Sequence, residues 1–214
     1  MHKLSTTALA LLSLSILGAG FTGTQTWSNT PYGGDRGTFF VDVTSDGRAD
    51  AIAVNSSGIV VRRSLGAGFS GSEVWTYGGY YGDRGTFFAD VTGDGRADVI
   101  VVNSNGIAVR RADWTAFANS ETWRHGLLRD RSTFFADVTG DGRADAIAVN
   151  ENGIAVRRAT NRGFAATETW SDTAYYGDRG TFFADVTGDG RADAIAVNTN
   201  GIAIRTAAPD RQTW

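Results

Sequence analysis

The apolar residues of the chain stand at alternating positions in short runs. In residues 146–149 the large side chains of Ile147 and Val149 alternate with alanines, and residues 153–157 alternate again. A period of two predicts β-strands, and the Asn-Gly pair at Asn152 between the two runs predicts a tight hairpin. Such strands present large aliphatic side chains on one face and alanines on the other, which lets neighbouring sheets pack closely.

Two further apolar runs, at residues 133–136 and 168–170, flank this hairpin, so one unit contains four short strands. The unit recurs, because the aspartate that follows its first strand stands at intervals of 48, 47 and 48 residues, at Asp42, Asp90, Asp137 and Asp185. Four antiparallel strands in a repeat of this length are typical of a propeller blade. We therefore predict an all-β fold, a β-propeller built from four ~48-residue repeats, each a four-stranded antiparallel blade. A β-solenoid is the alternative, although its coils are usually shorter.

The fourth strand of the unit occurs once more often than the other three. The tryptophan that ends it occurs five times, at Trp27, Trp75, Trp123, Trp170 and Trp214. One strand is therefore surplus in a closed ring of four blades. Either one end strand completes the last blade, or the chain is an incomplete propeller that closes with another copy through unpaired terminal strands.

Residues 1–20 have a short basic start, an apolar stretch and small residues after it, which predicts a secretion signal. The apolar stretch is too short for a stable membrane span. Residues 17–23 also match residues 65–71 at all but one position, so the segment is alternatively a strand of the repeat array. No linker divides the repeats, and we predict a secreted, extracellular protein with one propeller domain over residues 21–214.

The composition excludes several classes of function. The absence of cysteine excludes disulfides, thiolate zinc sites and cysteine nucleophiles. Basic residues are spread evenly through the repeats and the net charge is −3, which argues against nucleic-acid binding. His125 is the only histidine apart from His2, no nucleophile motif surrounds it, and acidic residues such as Glu73 and Glu168 recur with the repeat. A glycosidase needs two carboxylates in unlike environments, so we predict that the protein is not an enzyme.

The segment between the first and second strands carries the candidate chemistry. In the third repeat its side-chain oxygens stand at positions 1, 3, 5 and 9, on Asp137, Thr139, Asp141 and Asp145, with the carbonyl of Arg143 at position 7. Oxygen-only ligation with three carboxylates suits Ca²⁺, and glycine at position 6 permits the sharp turn. The alternative is a metal-free Asx turn that joins two strands.

The segment is not an EF-hand, because position 12 is alanine or valine instead of glutamate. From Phe21 to Trp214 the chain resembles the FG-GAP or VCBS-type repeats of integrin α-subunit propellers and of secreted lectin-like propellers. The resemblance implies up to four structural Ca²⁺ ions, held by Asp42, Thr44, Asp46, Arg48, Asp50, Asp90, Thr92, Asp94, Arg96, Asp98, Asp137, Thr139, Asp141, Arg143, Asp145, Asp185, Thr187, Asp189, Arg191 and Asp193. Threonine at position 3 and Ser45 in place of a glycine depart from the pattern. They predict weak affinity, on the order of 0.1 to 1 mM, weakest in the first loop.

The resemblance implies a calcium-binding module for adhesion to a glycan or an extracellular protein. The tryptophans could stack on sugars or belong to the core, and the place to look for a glycan site lies between blades near Tyr80, Tyr81, Tyr175 and Tyr176. Two alternatives are a self-assembling structural protein, which forms homo-oligomers through its terminal strands, and a non-catalytic module of a secreted hydrolase.

Overall fold

The computed structural model describes residues 23–126 and 131–208, and within them the secondary structure is nineteen β-strands without a helix. Three four-stranded antiparallel sheets and one three-stranded sheet follow one another along the chain. No helix in this part of the chain is long and apolar enough to cross a membrane. The predicted all-β propeller arrangement of four blades is therefore confirmed. The predicted secretion signal lies outside the described residues.

Each blade is formed by consecutive strands of one repeat. Blade 1 contains β1 (Gly37–Val41), β2 (Asp50–Asn55), β3 (Gly58–Arg62) and β4 (Glu73–Tyr77). Blade 2 contains β5 (Gly85–Ala89), β6 (Asp98–Asn103), β7 (Gly106–Arg110) and β10 (Glu121–His125), with a small hairpin of β8 (Ala112–Asp113) and β9 (Ala116–Phe117). Blade 3 contains β11 (Ser132–Ala136), β12 (Asp145–Asn150), β13 (Gly153–Arg157) and β16 (Glu168–Ser171), with a hairpin of β14 (Ala159–Thr160) and β15 (Gly163–Phe164). Blade 4 contains β17 (Gly180–Ala184), β18 (Asp193–Asn198) and β19 (Gly201–Arg205). The fourth strand predicted for blade 4, which ends at Trp214, lies outside the described residues.

The second and third strands of each blade form the hairpin that the sequence predicts. In blade 1 the pairing runs from Ala51 opposite Arg62 to Asn55 opposite Gly58. Gly58 has φ +148°, and a β-carbon there would collide with the carbonyl oxygen of Thr76 on the adjacent strand. Only glycine combines this backbone conformation with so close an approach of the fourth strand.

The two faces of a blade differ in the size of their side chains. In blade 1 the fully buried Ile52, Val54, Ile59 and Val61 belong to one face, here called the leading face, which packs on blade 2. The opposing face of blade 2, here called the trailing face, contributes smaller side chains, among them Ala97, Val99, Val101, Ala108 and Ala112. The leading faces of blades 2 and 3 pack in the same way on the trailing faces of blades 3 and 4. Large side chains of one blade thus fill the space above small ones of the next.

Two contacts recur at every junction between consecutive blades. A phenylalanine of each leading face meets one of the next trailing face, with ring centroids 4.9 to 5.1 Å apart, in the pairs Phe39–Phe88, Phe87–Phe135 and Phe134–Phe183. A backbone hydrogen bond of 2.7 to 2.8 Å also joins the blades, from Ala97 N to Asp42 O, Ala144 N to Asp90 O and Ala192 N to Asp137 O. These contacts fix the position of each blade against its neighbour.

Candidate functional site

The aspartate at position 1 of each loop binds the backbone of its own loop. In the second loop Asp90 Oδ1 accepts hydrogen bonds from the N–H groups of Thr92, Gly93 and Asp94, and its Oδ2 accepts one of 2.7 Å from Gly95. Asp42, Asp137 and Asp185 make the same set of bonds. In the fourth loop these N–H groups, that of Gly190 foremost, lower the pKa of Asp185. The first carboxylate therefore holds the turn closed by hydrogen bonds.

The aspartate at position 5 forms an ion pair with the arginine two residues later. The nitrogen–oxygen distances are 2.6 Å for Arg48–Asp46, 2.5 Å for Arg96–Asp94, 3.4 Å for Arg143–Asp141 and 2.7 Å for Arg191–Asp189. From the sequence only a backbone role was predicted for these arginines, and the ion pairs of their side chains were not predicted. The Asp-Gly-Arg spacing recurs in all four loops, but spacing alone does not show that the two side chains pair.

The aspartate at position 9 is fully buried in all four loops, at Asp50, Asp98, Asp145 and Asp193. Asp98 Oδ2 accepts from Val91 N at 3.2 Å, and its Oδ1 accepts from Ala112 N at 2.9 Å. The side chain thus ties the loop to the segment after the third strand. Burial raises the pKa of Asp98 to about 7 and that of Asp145 to about 6, and the other aspartates of each loop add to the effect.

These roles determine which of the predicted calcium ligands come together. In the first loop Thr44 Oγ1 lies 3.2 Å from Asp42 Oδ1 and 3.3 Å from Asp50 Oδ2, so oxygens of positions 1, 3 and 9 converge. The carboxylate of Asp46 instead forms an ion pair with Arg48. Across residues 23–126 and 131–208 no three acidic or imidazole side chains are grouped so that they could hold a metal ion. The loops have the geometry of hydrogen-bonded turns, and Ca²⁺ binding stays a prediction.

The departure at Ser45 has a conformational explanation. Ser45 has φ +61°, and the glycines at the same position of the other loops, Gly93, Gly140 and Gly188, have φ +77° to +78°. A left-handed backbone is uncommon for a serine and costs it some strain. The first loop therefore keeps the turn of the other three with a less suitable residue.

Two exposed tyrosines lie at junctions between blades. Tyr81 and Tyr176 are each 39% exposed. The guanidinium carbon of Arg36 lies 4.5 Å from the ring centroid of Tyr81, and that of Arg131 lies 4.2 Å from the ring centroid of Tyr176. Each arginine precedes the first strand of one blade, and each tyrosine precedes the first strand of the next. We call these pairs the junction pairs.

Tyr80 and Tyr175, which precede Tyr81 and Tyr176 in the sequence, have a structural role. Tyr80 is buried and its Oη lies 3.2 Å from Ser120 Oγ. Tyr175 Oη donates a hydrogen bond of 3.2 Å to Ala194 O. Of the four tyrosines in the predicted search region, Tyr81 and Tyr176 are the two whose side chains are exposed.

A cavity of about 520 Å³, lined by both polar and apolar groups, lies beside the second junction pair. Arg131 belongs to both, and it forms an ion pair of 3.6 Å with Glu151 at the cavity wall. Among the other lining residues are Asn150, Asn152, Thr169 and Ser171. Amide, carboxylate and hydroxyl groups next to an exposed aromatic ring can bind a polyhydroxylated ligand.

The repeated tryptophans and glutamates form structural clusters. Trp75 and Trp123 are buried, and each packs edge-on against a phenylalanine of the next blade with centroids 5.2 Å apart. The glutamate two residues before each tryptophan accepts a hydrogen bond from its indole N–H and pairs with an arginine, in the sets Trp75–Glu73–Arg63, Trp123–Glu121–Arg111 and Trp170–Glu168–Arg158. These tryptophans belong to the core, and each glutamate holds one arginine beside its tryptophan.

Comparisons with known proteins agree with this architecture. The sequence profile of the FG-GAP-like repeat matches residues 42–101 and 137–196, more than half of the chain. No curated protein matches the sequence. Among solved structures, a lectin of Agrocybe aegerita with specific recognition of non-reducing terminal N-acetylglucosamine is similar with a TM-score of 0.64 and 25% identity, over 81% of this chain and 49% of the lectin. The Photorhabdus luminescens Tc holotoxin pore is similar in fold, with a TM-score of 0.57 and 18% identity over 88% of this chain and 10% of that one.

Proposed function

Because the chain belongs to the FG-GAP-like repeat family, we propose that it is a binding module and that its ligand is a glycan with a terminal N-acetylamino sugar. The likeness to the Agrocybe aegerita lectin carries the choice of a glycan, because it extends over 81% of this chain at 25% identity. This chain spans about half the length of that lectin. The lectin's ligand is therefore the first compound to try.

The junction pairs are the proposed contact points for the sugar. A pyranose ring has an apolar face that packs on an aromatic ring, and its hydroxyl groups need polar partners nearby. Tyr176 supplies such a ring, and Arg131, which lies over it, also lines the cavity in which Asn150 and Asn152 supply donors and acceptors. The pair of Arg36 and Tyr81 repeats the aromatic part of this arrangement at the junction of blades 1 and 2.

Calorimetric titration with an oligosaccharide that ends in N-acetylglucosamine tests the proposal. We expect binding to the parent protein, and a loss of about fivefold in affinity for Tyr176→Ala, since one ring contact contributes about 1 kcal/mol. Tyr77→Ala is the matched control, because Tyr77 is 83% exposed at the end of β4 and belongs to neither junction pair. No binding by the parent protein, or equal binding by Tyr176→Ala and Tyr77→Ala, would contradict the proposal.

We further propose that Ca²⁺ binds the aspartate loops as a structural ion. The oxygen donor set and the family support this, since oxygens of positions 1, 3 and 9 already lie close together in the first loop. A complete site requires Asp46 and its equivalents to leave their arginines. Titration of chelator-treated protein with Ca²⁺ should release or absorb heat and raise the melting temperature. Absence of both effects would contradict Ca²⁺ binding by the loops.

We also propose that the module is secreted and has no catalytic role. Residues 1–20 support the first point by their sequence. Glu73, Glu121 and Glu168 support the second, because each is engaged by an indole and a guanidinium. Expression in a bacterial host followed by N-terminal sequencing of the protein in the medium tests secretion. Retention of the whole chain inside the cell would contradict it.

A further inference from the structure

The leading face of blade 4 is exposed although its residues repeat those of the other leading faces. Phe182 is 53% exposed, Val186 52%, Ile202 69% and Ile204 42%. The residues equivalent to the last three in blades 1 to 3 are at most 6% exposed: Val43, Val91, Val138, Ile59, Ile107, Ile154, Val61, Val109 and Val156. An apolar surface of this kind on a soluble protein marks an interaction site.

The trailing face of blade 1 exposes part of the complementary surface, while Ala51 and Ala53 on this face are already buried within the chain. Phe40 is 63% exposed, and it is equivalent to Phe88, Phe135 and Phe183, which all pair with the preceding blade. Ala49 is also exposed. Its equivalents Ala97, Ala144 and Ala192 are buried, and their backbone N–H groups donate the hydrogen bonds that join consecutive blades. The two ends of the array therefore carry the two halves of the junction that forms three times within the chain.

The segment before blade 1 already lies where the fourth strand of a preceding blade would lie. Trp27 packs against Phe69 of blade 1 with centroids 5.6 Å apart at 62°. Trp75 on β4 packs against Phe117 of blade 2 at 5.2 Å and 64°. The two geometries agree, so Trp27 takes the place that belongs to the tryptophan of a previous blade.

A second set of contacts places the same segment independently. Arg62 of blade 1 donates to Ser28 Oγ at 2.7 Å and to Thr30 Oγ1 at 3.0 Å. Arg205 of blade 4 donates to Ser171 Oγ and, at 3.0 Å, to Thr173 Oγ1. Ser171 is the last residue of β16, the fourth strand of blade 3. Residues 25–30 therefore occupy the same position relative to blade 1 as residues 168–173 occupy relative to blade 4.

We propose that the leading face of blade 4 binds the trailing face of blade 1 of a second copy of this chain, head to tail. Phe182 then pairs with Phe40 of the second copy, and Asp185 O accepts from Ala49 N. The segment of residues 25–27 of the second copy lies beside β19, in the blade whose described part has three strands. This goes beyond the proposed glycan binding and does not depend on it.

We assign the exposed face of blade 4 to a second copy because the contact repeats the junction that the chain already forms between its own blades. The same residue types already pack against each other at the three junctions within the chain, so the second copy needs no other complementary surface. The contact joins two different faces, so it forms a ring if the rotation closes and a filament if it does not. Two chains of four blades give eight blades, which is within the usual range of propellers.

Light scattering coupled to size exclusion tests the contact. The chain has a mass of 22.7 kDa, and we expect a species of at least twice that mass at micromolar concentration. Ile202→Asp should shift it to the monomer without unfolding, because Ile202 is exposed. Trp114→Asp is the matched control, since Trp114 is 59% exposed on blade 2, which has a neighbour on each face. A monomer at all concentrations, or equal assembly of both variants, would overturn the proposal.

Cross-linking separates a second copy from closure within one chain. The protein contains no cysteine, so the double variant Phe40→Cys, Phe182→Cys has only the two new thiols. We expect its oxidation to give covalent dimers or larger products, and the single variant Phe182→Cys to give none at the same concentration. A bond within one chain, which leaves the monomer mass, would overturn the proposal, as would the absence of any cross-link.

Discussion

Three aspartates in one loop perform three different tasks, although the residue type is the same. The first binds the backbone N–H groups of its turn, the second pairs with an arginine, and the third is buried under the next segment. The sequence indicates that the three belong together, because their spacing is constant in all four repeats. It does not indicate that Asp94 turns towards Arg96, because that choice depends on side-chain rotamers and not on spacing.

The burial of Asp98 and Asp145 predicts a dependence of stability on pH. Their pKa values rise from 3.8 to about 7 and about 6 in the folded protein. Their stabilising effect is fully present below pH 3.8 and is lost as the pH rises through the folded values. In a buffer with chelator, the free energy of unfolding should fall by about 2 to 4 kcal/mol from pH 5 to pH 8.

Urea unfolding at several pH values measures this effect. Carboxylates with lowered pKa, such as Asp35 and Asp185, are ionised in both states over this range and do not contribute. Asp98→Asn should remove the larger part of the slope. A stability that is constant or rises between pH 5 and pH 8 would show that these carboxylates are charged in the folded protein.

The strands are the elements that the sequence predicts best, because alternation of large and small residues is a direct consequence of the strand period. β2, β12 and β18 all fall on such runs. The small hairpin of β8 and β9 escaped prediction, because strands of two residues show no period. The difference between Tyr80 and Tyr81 also escaped it, since only contacts with residues far along the chain decide which neighbour is buried.

Gly58 allows the close approach of β4 to the β2–β3 hairpin and gives a prediction at this scale. Gly58→Ala should destabilise the fold by about 2 kcal/mol or more, because the new methyl group meets the carbonyl of Thr76 at a positive φ. Gly71→Ala is the control, since nothing lies within 4 Å of a β-carbon there. Thermal unfolding of both variants checks the difference, and equal melting temperatures would contradict the collision.

At the scale of the molecule, the blades are alike in sequence but unequal in surroundings. Blades 2 and 3 have a neighbour on both faces, while blade 4 exposes its leading face. The sequence predicts four equal units, and the surplus fourth strand that it indicates stays a prediction. Which face is left open could not be predicted, because both ends of a repeat array have the same pattern.

Hydrogen exchange should reveal this inequality. β13 and β19 have nearly the same sequence, GIAVR and GIAIR, but only the first has large side chains that are covered by another blade. In dilute protein the amides of β19 should exchange faster than those of β13, because local opening exposes less apolar surface there. At high concentration the head-to-tail contact should slow β19 selectively. Equal exchange in dilute protein would contradict the open face.

The near identity of the junctions also has an evolutionary consequence. Residues 134–150 and 182–198 are the same letter for letter, and every junction is formed by equivalent residues. Duplication or loss of one whole repeat therefore leaves each remaining junction chemically unchanged. A gene of this kind can change its number of blades in a single recombination event, and the descendants keep a foldable array.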